Sequence, residues 1–366
     1  MKALVAPRKC PPSNYQVMDM PTPVLTLPTH VLIQVHAAAV EPGELQAINS
    51  PLASFANATF PYKIGIEGSG VVVSTGPDVK AFKPGDKIFA AVMDKPSFRV
   101  PWPGFVAEYV VVEERFLLHK PPNVSFEEAA SMAGGTVTAI QAIRRGLQLA
   151  GLEDLQGKTV FVPAALGATS SIAIQVAKRV FGAEKVISTV STAKVPLVEE
   201  RLPGMVDMLV DYQTQRLEEH VPRGSVDFML NTNWATLDDG IPLVNPTTGV
   251  IVSIAGVPTK ETLREILGDK FSWWMGLVLD VLQVQYWWKM RGTSIKYDYV
   301  SGGPHVREDL ERAGELIALG RVRPVVRVVD LCDLEAVRKG CEETWSGKGG
   351  VGKCVIRIGV RGGGSA

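Results

Sequence analysis

Short apolar runs separated by turn residues dominate the first third of the chain. Valine, isoleucine and other strand-forming residues fill these runs, and each run is about six residues long, which is typical of β-strands. Proline and glycine mark the turns between them, as at Gly76-Pro77-Asp78. The pattern predicts a small barrel-like β domain whose strands include 31–36, 68–73, 87–92 and 107–112.

The pattern changes after Pro121-Pro122. Ser125 and Glu128 have the spacing of a capping box, which predicts a helix start followed by a helical stretch at 129–132. From residue 158 to about 300, strand-like apolar runs alternate with helical segments, and this alternation predicts a parallel sheet with helices on both faces. The predicted strands are 159–162, 186–190, 228–230, 249–254 and 295–299, and the predicted helices are 170–181 and 194–202. A further helix is predicted at 308–319 and a closing strand at 351–358.

Length and composition indicate the number of domains and exclude several classes of partner. The chain has 366 residues and a mass of 39.5 kDa, more than one core usually carries, so two domains are expected. Its 38 basic and 38 acidic side chains cancel, so neither nucleic acid nor a membrane is an expected partner. The four cysteines form neither a disulfide framework nor a Cys-x-x-Cys zinc motif. The opening residues reach charge at Arg8 and Lys9 and contain no signal-peptide core, so a cytoplasmic location is expected.

The segment 159–171 has the context of a phosphate-binding loop. A predicted strand runs through a tight turn into a predicted helix, whose free N–H groups and dipole favour a bound pyrophosphate. An ordinary strand-to-helix turn has the same appearance, because only Gly167 stands where a glycine-rich loop carries several glycines. Ser170 adds a hydroxyl that either donates to a phosphate or crowds it. The predicted cofactor contacts here are Gly167, Ala168, Thr169, Ser170 and Ser171.

The end of the next predicted strand favours one nicotinamide cofactor over the other. About 20 residues beyond the loop, an NAD site needs a carboxylate for the ribose 2′-hydroxyl. The chain has Ser191, Thr192 and Lys194 at this point, and no Asp or Glu. Hydroxyls and a lysine suit the 2′-phosphate of NADPH, although a solvated helix start has the same residues. NADPH is therefore the predicted cofactor.

A series of short motifs runs along nearly the whole chain. They are MKALV at 1–5, GIEGSGVV at 65–72, KPGDKI at 83–88, GFVAEY at 104–109, TVTA at 136–139, QVAK at 175–178, VDY at 210–212 and GVIVSIAG at 249–256. In this order they resemble the medium-chain dehydrogenase/reductases, and among them the zinc-independent quinone oxidoreductases and trans-acting enoyl reductases. The resemblance implies an α/β protein with a GroES-like β-rich catalytic domain at 1–126 and 303–366. It also implies a Rossmann doubly wound parallel sheet at 127–302 that binds the cofactor.

The resemblance also implies roles for individual residues. Thr138 resembles the threonine beside the nicotinamide, and Tyr212 resembles a partner of the adenosine end. The strand end beside the nicotinamide is matched by Ile254 and Ala255, and a further family contact is matched by Gly352 and Lys353.

Two positions bear on a catalytic metal. Where the alcohol dehydrogenases of this family hold zinc with a cysteine and a histidine, this chain has Glu41 and Ile66, and isoleucine has no donor atom. No metal is therefore predicted. Glu41 also departs from the zinc-free relatives, which usually carry an amide there that donates hydrogen bonds. A carboxylate only accepts them unless burial keeps it protonated, so Glu41 is either a catalytic group or a solvated substitute.

Chemistry without a metal suits an alkene conjugated to a carbonyl, which accepts a hydride and then needs hydrogen-bond donors and a proton. Thr138 and Glu41 are the candidate catalytic groups, together with Tyr62 as a proton donor or oxyanion donor, for which a packing role is the alternative. The predicted function is NADPH-dependent reduction of an enone, quinone or enoyl thioester, with trans-acting enoyl reduction in secondary metabolism as one form. The alternative is a non-redox enzyme or ligand-binding protein that guides cyclisation of a polyketide-like substrate.

An aromatic block at 271–290 holds four of the seven tryptophans. Polar residues interrupt it, among them Asp280 and Lys289, which argues against a membrane span. Three interpretations stay open: a pocket for a bulky small-molecule substrate that is polyketide-like or carrier-bound, a dimer interface, or core. Either a monomer or a homodimer is compatible with them.

Overall fold

The computed structural model describes residues 1–49, 59–97 and 103–359, which form two compact units. Unit 1 comprises 1–134, 304–318 and the chain from 326, and unit 2 comprises 135–303 and 319–325. The chain thus passes from unit 1 to unit 2 after residue 134 and returns to unit 1 at residue 304, apart from the segment 319–325, which belongs to unit 2.

The strands and helices of the described residues are numbered in chain order. The strands are β1 (Lys2–Ala6), β2 (Gln16–Asp19), β3 (His30–Ala39), β4 (Tyr62–Lys63), β5 (Glu67–Thr75), β6 (Lys87–Ala91), β7 (Tyr109–Glu113), β8 (Leu117–His119), β9 (Thr159–Phe161), β10 (Lys185–Val190), β11 (Met208–Asp211), β12 (Phe228–Asn231), β13 (Val250–Ser253), β14 (Lys296–Tyr299), β15 (Val326–Asp330) and β16 (Lys353–Arg357). The helices are α1 (Pro42–Asn49), α2 (Phe126–Ala129), α3 (Ala133–Ala150), α4 (Ala168–Arg179), α5 (Val195–Arg201), α6 (Leu217–His220), α7 (Leu237–Gly240), α8 (Lys260–Leu267), α9 (Trp273–Lys289), α10 (Arg307–Ala318) and α11 (Leu334–Ser346).

Unit 1 is built on two sheets that are antiparallel except for the β15–β16 pair. The larger has the order β15-β16-β3-β5-β6-β8, with β7 also paired to β3, and the smaller has the order β2-β1-β4. Burial alternates along β3, as expected for a strand with one face on a core. Val31, Ile33 and Val35 of β3 join Phe105 and Phe116 in that core. The β-rich first domain is confirmed.

Unit 2 contains a six-stranded sheet in which every neighbouring pair is parallel, with the order β11-β10-β9-β12-β13-β14. Its inner strands are buried almost throughout, which is typical of a parallel sheet covered on both faces. Phe161, Ile187, Met229 and Ile251 form a core cluster with Tyr286 of α9. The doubly wound parallel sheet is confirmed.

The helix predictions were less accurate than the strand predictions. Ser125 caps α2 in a capping box, as predicted, but the helix is Phe126–Ala129 rather than 129–132. The long helix α3 follows, and the sequence did not indicate it because its first turns carry two glycines and two threonines, which are poor helix formers. Packing overrides that preference: Gly146 of α3 lies so close to Phe228 that a Cβ would reach 2.2 Å from its ring.

The aromatic block at 271–290 forms α9. Only Gly276, Leu279 and Tyr286 of this helix are buried, and Trp273, Trp274, Trp287 and Trp288 are all more than half exposed. The core interpretation is therefore wrong for the tryptophans. Across the residues that the structure describes, we find no helix that combines the length and the apolar character needed to cross a membrane.

A glycine in β5 allows β3 and β5 to pair closely. A Cβ on Gly70 would lie 2.1 Å from the backbone oxygen of Gln34. We expect Gly70→Ala to lower the free energy of unfolding by about 1–3 kcal/mol, because backbone cannot move aside as a side-chain end can. Denaturant unfolding measures the change. The matched variant Gly43→Ala, where a Cβ meets nothing within 4 Å, should leave stability nearly unchanged, and equal effects of the two would contradict this account.

Candidate active site

The strand order of the unit 2 sheet reverses at β9. From β9, the chain proceeds through β10 and β11 on one side, then crosses to β12, β13 and β14 on the other. In open parallel sheets, ligands bind at the carboxyl ends of the strands beside such a reversal. The loop 162–167 follows β9 at this point and leads into α4.

The loop is held in shape by its neighbour β10. Ala164 has a φ of 61°, in the left-handed region that favours glycine. Its N–H donates to Thr189 Oγ1 at 3.0 Å, and the Ala165 N–H donates to the Thr189 carbonyl at 2.8 Å. A Cβ on Gly167 would lie 2.9 Å from Ser170 Oγ and 3.1 Å from the Ala164 carbonyl oxygen, so a side chain here would displace its neighbours. Thr189, which the sequence did not single out, thus stabilises a strained turn.

A chain of hydroxyl groups joins the loop to the end of β12. The Thr232 hydroxyl donates to the Pro163 carbonyl at 3.1 Å, so the proton in its 2.8 Å contact with Ser170 comes from the Ser170 hydroxyl. Ser170 is buried, and its hydroxyl points into the protein rather than into the path of a phosphate. Ser171 is also buried, and its hydroxyl donates to the Ala168 carbonyl at 3.3 Å. Neither side chain is presented to a ligand.

The backbone at the start of α4 is the remaining polar surface. Gly167 is the N-cap and provides no side-chain cap, and the Ser171 N–H donates to the Gly167 carbonyl at 2.9 Å as the first helical bond. The N–H groups of Ala168, Thr169 and Ser170 precede that bond and have no acceptor within the helix. Three N–H groups at the positive end of a twelve-residue helix form a cradle for an anion.

The end of β10 carries the residues predicted for a 2′-phosphate. Ser191, Thr192 and Lys194 form the turn after the strand, and the Thr192 N–H donates to Gln213 Oε1 at 3.0 Å. Asp211 ends the adjacent strand β11 in register with Val190, so a carboxylate lies near this turn. The sequence pattern did not indicate it.

Asp211 is already saturated with hydrogen-bond donors. The hydrogen bond from the Thr192 side chain, followed by those from the Gln213 N–H and Thr214, holds the pKa of Asp211 below its usual range. Its role is therefore to order the 211–214 turn, a local pattern that its Asp-x-x-Thr spacing indicates. Tyr212 follows with its ring 60% exposed, as a stacking partner for a ligand would be.

Two buried polar residues organise the ends of β12 and β13. Asn231 donates from Nδ2 to Ser253 Oγ at 3.0 Å and to the Ala255 carbonyl at 3.2 Å, and Ser253 donates to the same carbonyl at 2.8 Å. This network fixes the turn at Ile254 and Ala255, which are half-buried. The sequence signal that was missed is a polar residue ending an otherwise apolar buried strand. Thr138, on α3, is half-buried.

In unit 1, three neighbouring strands bring charged residues together. Val355 of β16 pairs with Ala39 of β3, and Ala39 pairs with Glu67 at the start of β5. Glu41 follows β3, and Lys353 begins β16. The buried ammonium of Lys353 consequently bonds to Glu41 Oε1 and lies 3.2 Å from Glu67 Oε2.

Burial and the neighbouring charges shift the pKa values of Glu67 and Lys353. Burial raises the pKa of Glu67 to about 8, although the Lys353 ammonium and the Gly134 N–H, which donates to Glu67 at 2.9 Å, both favour the ionised form. Burial opposes charge on Lys353, but the carboxylates of Glu41 and Glu67 outweigh it and raise the pKa of the lysine. Glu41 is thus neither solvated nor a free acceptor, and the Lys353 side chain is committed to an ion pair.

This donor set does not fit a catalytic metal. The two carboxylates already share an ammonium, and Ile66 is buried without a donor atom. Within the described ranges, no three His, Cys, Asp or Glu side chains are grouped as metal ligands would be. A buried lysine supplies the positive charge at this position.

Tyr62 and Glu44 share the interior of unit 1. The Tyr62 ring packs on the core, and burial followed by the nearby Glu44 raises the pKa of its hydroxyl, which favours the packing role over that of a proton donor. Glu44 accepts a hydrogen bond from the Gly65 N–H at 2.9 Å. Burial raises the pKa of Glu44 to about 8.

The chain is similar to several known proteins. The family model for the alcohol dehydrogenase GroES-like domain matches residues 27–122. The chain is 36% identical over 196 residues to 2-methylene-furan-3-one reductase of Solanum lycopersicum, and 37% identical over 244 residues to the chloroplastic NADPH-dependent alkenal/one oxidoreductase of Arabidopsis thaliana. These alignments cover 52% and 65% of this chain, and 46% and 58% of the relatives. The chain therefore spans about half the length of these curated relatives.

A solved structure supports the fold. The quinone oxidoreductase from Coxiella burnetii matches with a TM-score of 0.75 at 23% identity, covering 98% of this chain and 99% of that one. Together with the match to the GroES-like family, this confirms the expected combination of a GroES-like domain with a Rossmann sheet.

Removal of the buried ion pair should lower the free energy of unfolding by a measurable amount. Lys353→Met leaves Glu41 and Glu67 without their ammonium, and we expect a loss of about 3–5 kcal/mol in the free energy of unfolding at neutral pH. Chemical unfolding at pH 7 measures it. The control Lys2→Met removes an exposed pair with Asp19 and should change stability by less than about 1 kcal/mol; equal effects would refute the coupling.

The raised pKa of Glu44 predicts a pH dependence of stability. Between the unfolded value of 4.5 and the folded value of about 8, the folded state keeps a proton that the unfolded state has released, so stability falls as the pH rises. Glu44→Gln removes this dependence. Its stability relative to the unmodified protein should increase by a few kcal/mol from pH 5 to pH 8 in urea unfolding. The exposed Glu199→Gln should show no such trend, and a Glu44→Gln difference that stays constant with pH would contradict the assignment.

Proposed function

We propose that the chain is a medium-chain dehydrogenase/reductase that reduces an activated carbon–carbon double bond with NADPH as the hydride donor. The substrate class is an enone, alkenal, quinone or enoyl thioester. The observation that carries the proposal is the uncapped start of α4 at the strand reversal, where three backbone N–H groups form an anion cradle. The names of the relatives, one an NADPH-dependent alkenal/one oxidoreductase, support the same chemistry.

The residues of unit 2 fit a dinucleotide. The N–H groups of 168–170 would hold the pyrophosphate, and the inward turn of the Ser170 hydroxyl removes the crowding that its sequence position suggests. Ser191, Thr192 and Lys194 would hold the 2′-phosphate. Tyr212 would stack on the adenine, and Ile254 and Ala255, together with Thr138, would line the nicotinamide end. Gly352 and Lys353 belong to unit 1, where the ion pair occupies the Lys353 side chain.

The chemistry that a bound nicotinamide supplies is a hydride, which a conjugated alkene accepts at its β-carbon. The chain's own task is to orient the substrate carbonyl and to stabilise the negative charge that develops on its oxygen. The Thr138 hydroxyl suits that donation better than Tyr62, whose hydroxyl is buried beside Glu44. Lys353 is held between Glu41 and Glu67, so its ammonium is paired within the protein.

Cofactor preference tests the proposal. We expect the protein to bind NADPH at least about tenfold more tightly than NADH, a difference of ~1.4 kcal/mol. Lys194→Ala should weaken NADPH binding about tenfold or more and change NADH binding little, because only NADPH carries the 2′-phosphate. Isothermal titration calorimetry with each cofactor measures all four affinities.

The control variant is Lys185→Ala, which removes a lysine from the opposite end of the same strand, β10. It should leave both affinities unchanged. Equal weakening of NADPH and NADH by Lys194→Ala would refute the 2′-phosphate assignment. Binding of neither cofactor, with no oxidation of NADPH by a small enone, a quinone or an enoyl thioester, would refute the reductase and favour a non-redox ligand-binding protein.

A further inference from the structure

Two carboxyl groups of unit 1 converge on one point. Glu41 Oε1 and Glu67 Oε2 both face the ammonium of Lys353, which bonds to the first and lies 3.2 Å from the second. On another side, a Cβ on Gly134 would lie 3.5 Å from each of the same two oxygens. The two carboxyl groups therefore meet beside a single positive charge. We call Glu41, Glu67 and Lys353 the carboxyl–lysine cluster.

The charges of this cluster do not balance when every group is ionised. The side chain of Lys353 is 4% exposed and that of Glu67 is 1% exposed, so water screens neither charge. One ammonium facing two carboxylates leaves a negative charge unpaired in the interior, and a second ionised carboxylate in a shared site is strongly disfavoured. One retained proton makes the cluster neutral.

The groups around the cluster do not correct this imbalance. Glu44 on α1 adds a further carboxyl group, 1% exposed, whose Oε2 has no hydrogen-bond partner among the described residues. The titratable groups that act on Glu44 from other elements are Tyr15, Tyr62 and Cys341, and burial raises the pKa of each. They are uncharged at neutral pH, so Lys353 and the carboxyl groups decide the charge balance.

Glu41 is the member of the cluster that reaches the surface. Its side chain is 20% exposed, whereas the other two are almost fully covered. By sequence, Glu41 also takes the place of a zinc ligand of the alcohol dehydrogenases. A proton held between the two carboxyl groups can therefore leave the interior through Glu41, and the ammonium of Lys353 stabilises the carboxylate that remains.

We propose that the carboxyl–lysine cluster retains one proton at neutral pH and that Glu41 donates this proton to the substrate. The donation rests on the proposed reduction of an activated alkene. The substrate accepts a hydride at its β-carbon, which forms one C–H bond, and the electron pair of the double bond becomes an enolate. Proton transfer from Glu41 to the α-carbon forms the second C–H bond, and the cluster then regains its proton from water.

The retained proton can be tested without cofactor or substrate. Glu41→Gln leaves one carboxyl group facing Lys353, so Glu67 should ionise and the protein should lose one protonated carboxyl group at pH 7. Infrared spectroscopy of the protonated C=O band measures this loss against the unmodified protein, and circular dichroism confirms that the variant is folded. An unchanged band would overturn the retained proton.

The matched control is Glu127→Gln. Glu127 is a glutamate of unit 1 that is 23% exposed and accepts a hydrogen bond from Arg357, also on β16, at 2.8 Å. Burial opposes its ionisation, but the hydrogen bond from Arg357 outweighs burial and lowers the pKa of Glu127. Glu127→Gln should therefore leave the protonated band unchanged, and loss of the same band would overturn the assignment to the cluster.

Two kinds of substrate test the donation. We expect Glu41→Gln to slow NADPH-dependent reduction of a small enone at least about 100-fold, because the enolate loses its proton donor. A nitroalkene forms a stable nitronate after it accepts the hydride, so its rate should stay within about threefold of the unmodified protein. The enone rate of the unmodified protein should also fall as the pH rises through about 8, where Glu67 loses its proton, and the nitroalkene rate should not.

The other outcomes separate this inference from the proposed function. Full enone activity of Glu41→Gln would overturn the donation, and so would equal loss of both substrates, which indicates a role in binding or hydride transfer. In either case the reductase stands. An unmodified protein that reduces neither substrate would overturn the reductase and the donation together.

Discussion

The strand order of the parallel sheet reverses between β9 and β12, and the candidate site depends on that reversal. In an open parallel sheet such a reversal separates the loops that follow the two strands, and the start of α4 follows one of them. The cradle of N–H groups results from helix geometry at that place, and it does not require a glycine-rich loop. Thr189 and the Ser170–Thr232 hydroxyl chain supply the rigidity that such a loop would otherwise need.

In unit 1 the main constraint is that charged side chains are buried and must be paired. The side chains of Glu41, Glu67 and Lys353 meet at the ends of β3, β5 and β16, where Glu67 and Lys353 are almost fully buried. Such an arrangement stabilises a protein only while every partner is present. It occupies Glu41, whose departure from the usual amide raised the question of altered chemistry, and it gives that glutamate a partner within the protein. A positioned lysine is compatible with reduction of a conjugated alkene, where the substrate delocalises its own charge.

The residues proposed to bind the cofactor follow the carboxyl ends of the strands of unit 2, whereas the exposed tryptophans lie on α9. Tyr286 links that helix to the core cluster beneath the sheet.

The sequence alone determined the features that depend on local pattern. Strand-like runs, the capping box at Ser125 and the alternation after residue 158 are set by side-chain periodicity and by the backbone preferences of a few residues. These signals located the loop at 163–170 and the hydroxyls and lysine after β10. Only the tertiary structure decided what long-range packing controls. It paired Lys353 with Glu41, 312 residues away, turned the Ser170 hydroxyl inward, formed α3 against its own propensity and left the tryptophans of α9 outside. Each of these outcomes depends on which distant residue occupies the neighbouring space, and periodicity along a single segment carries no information about that.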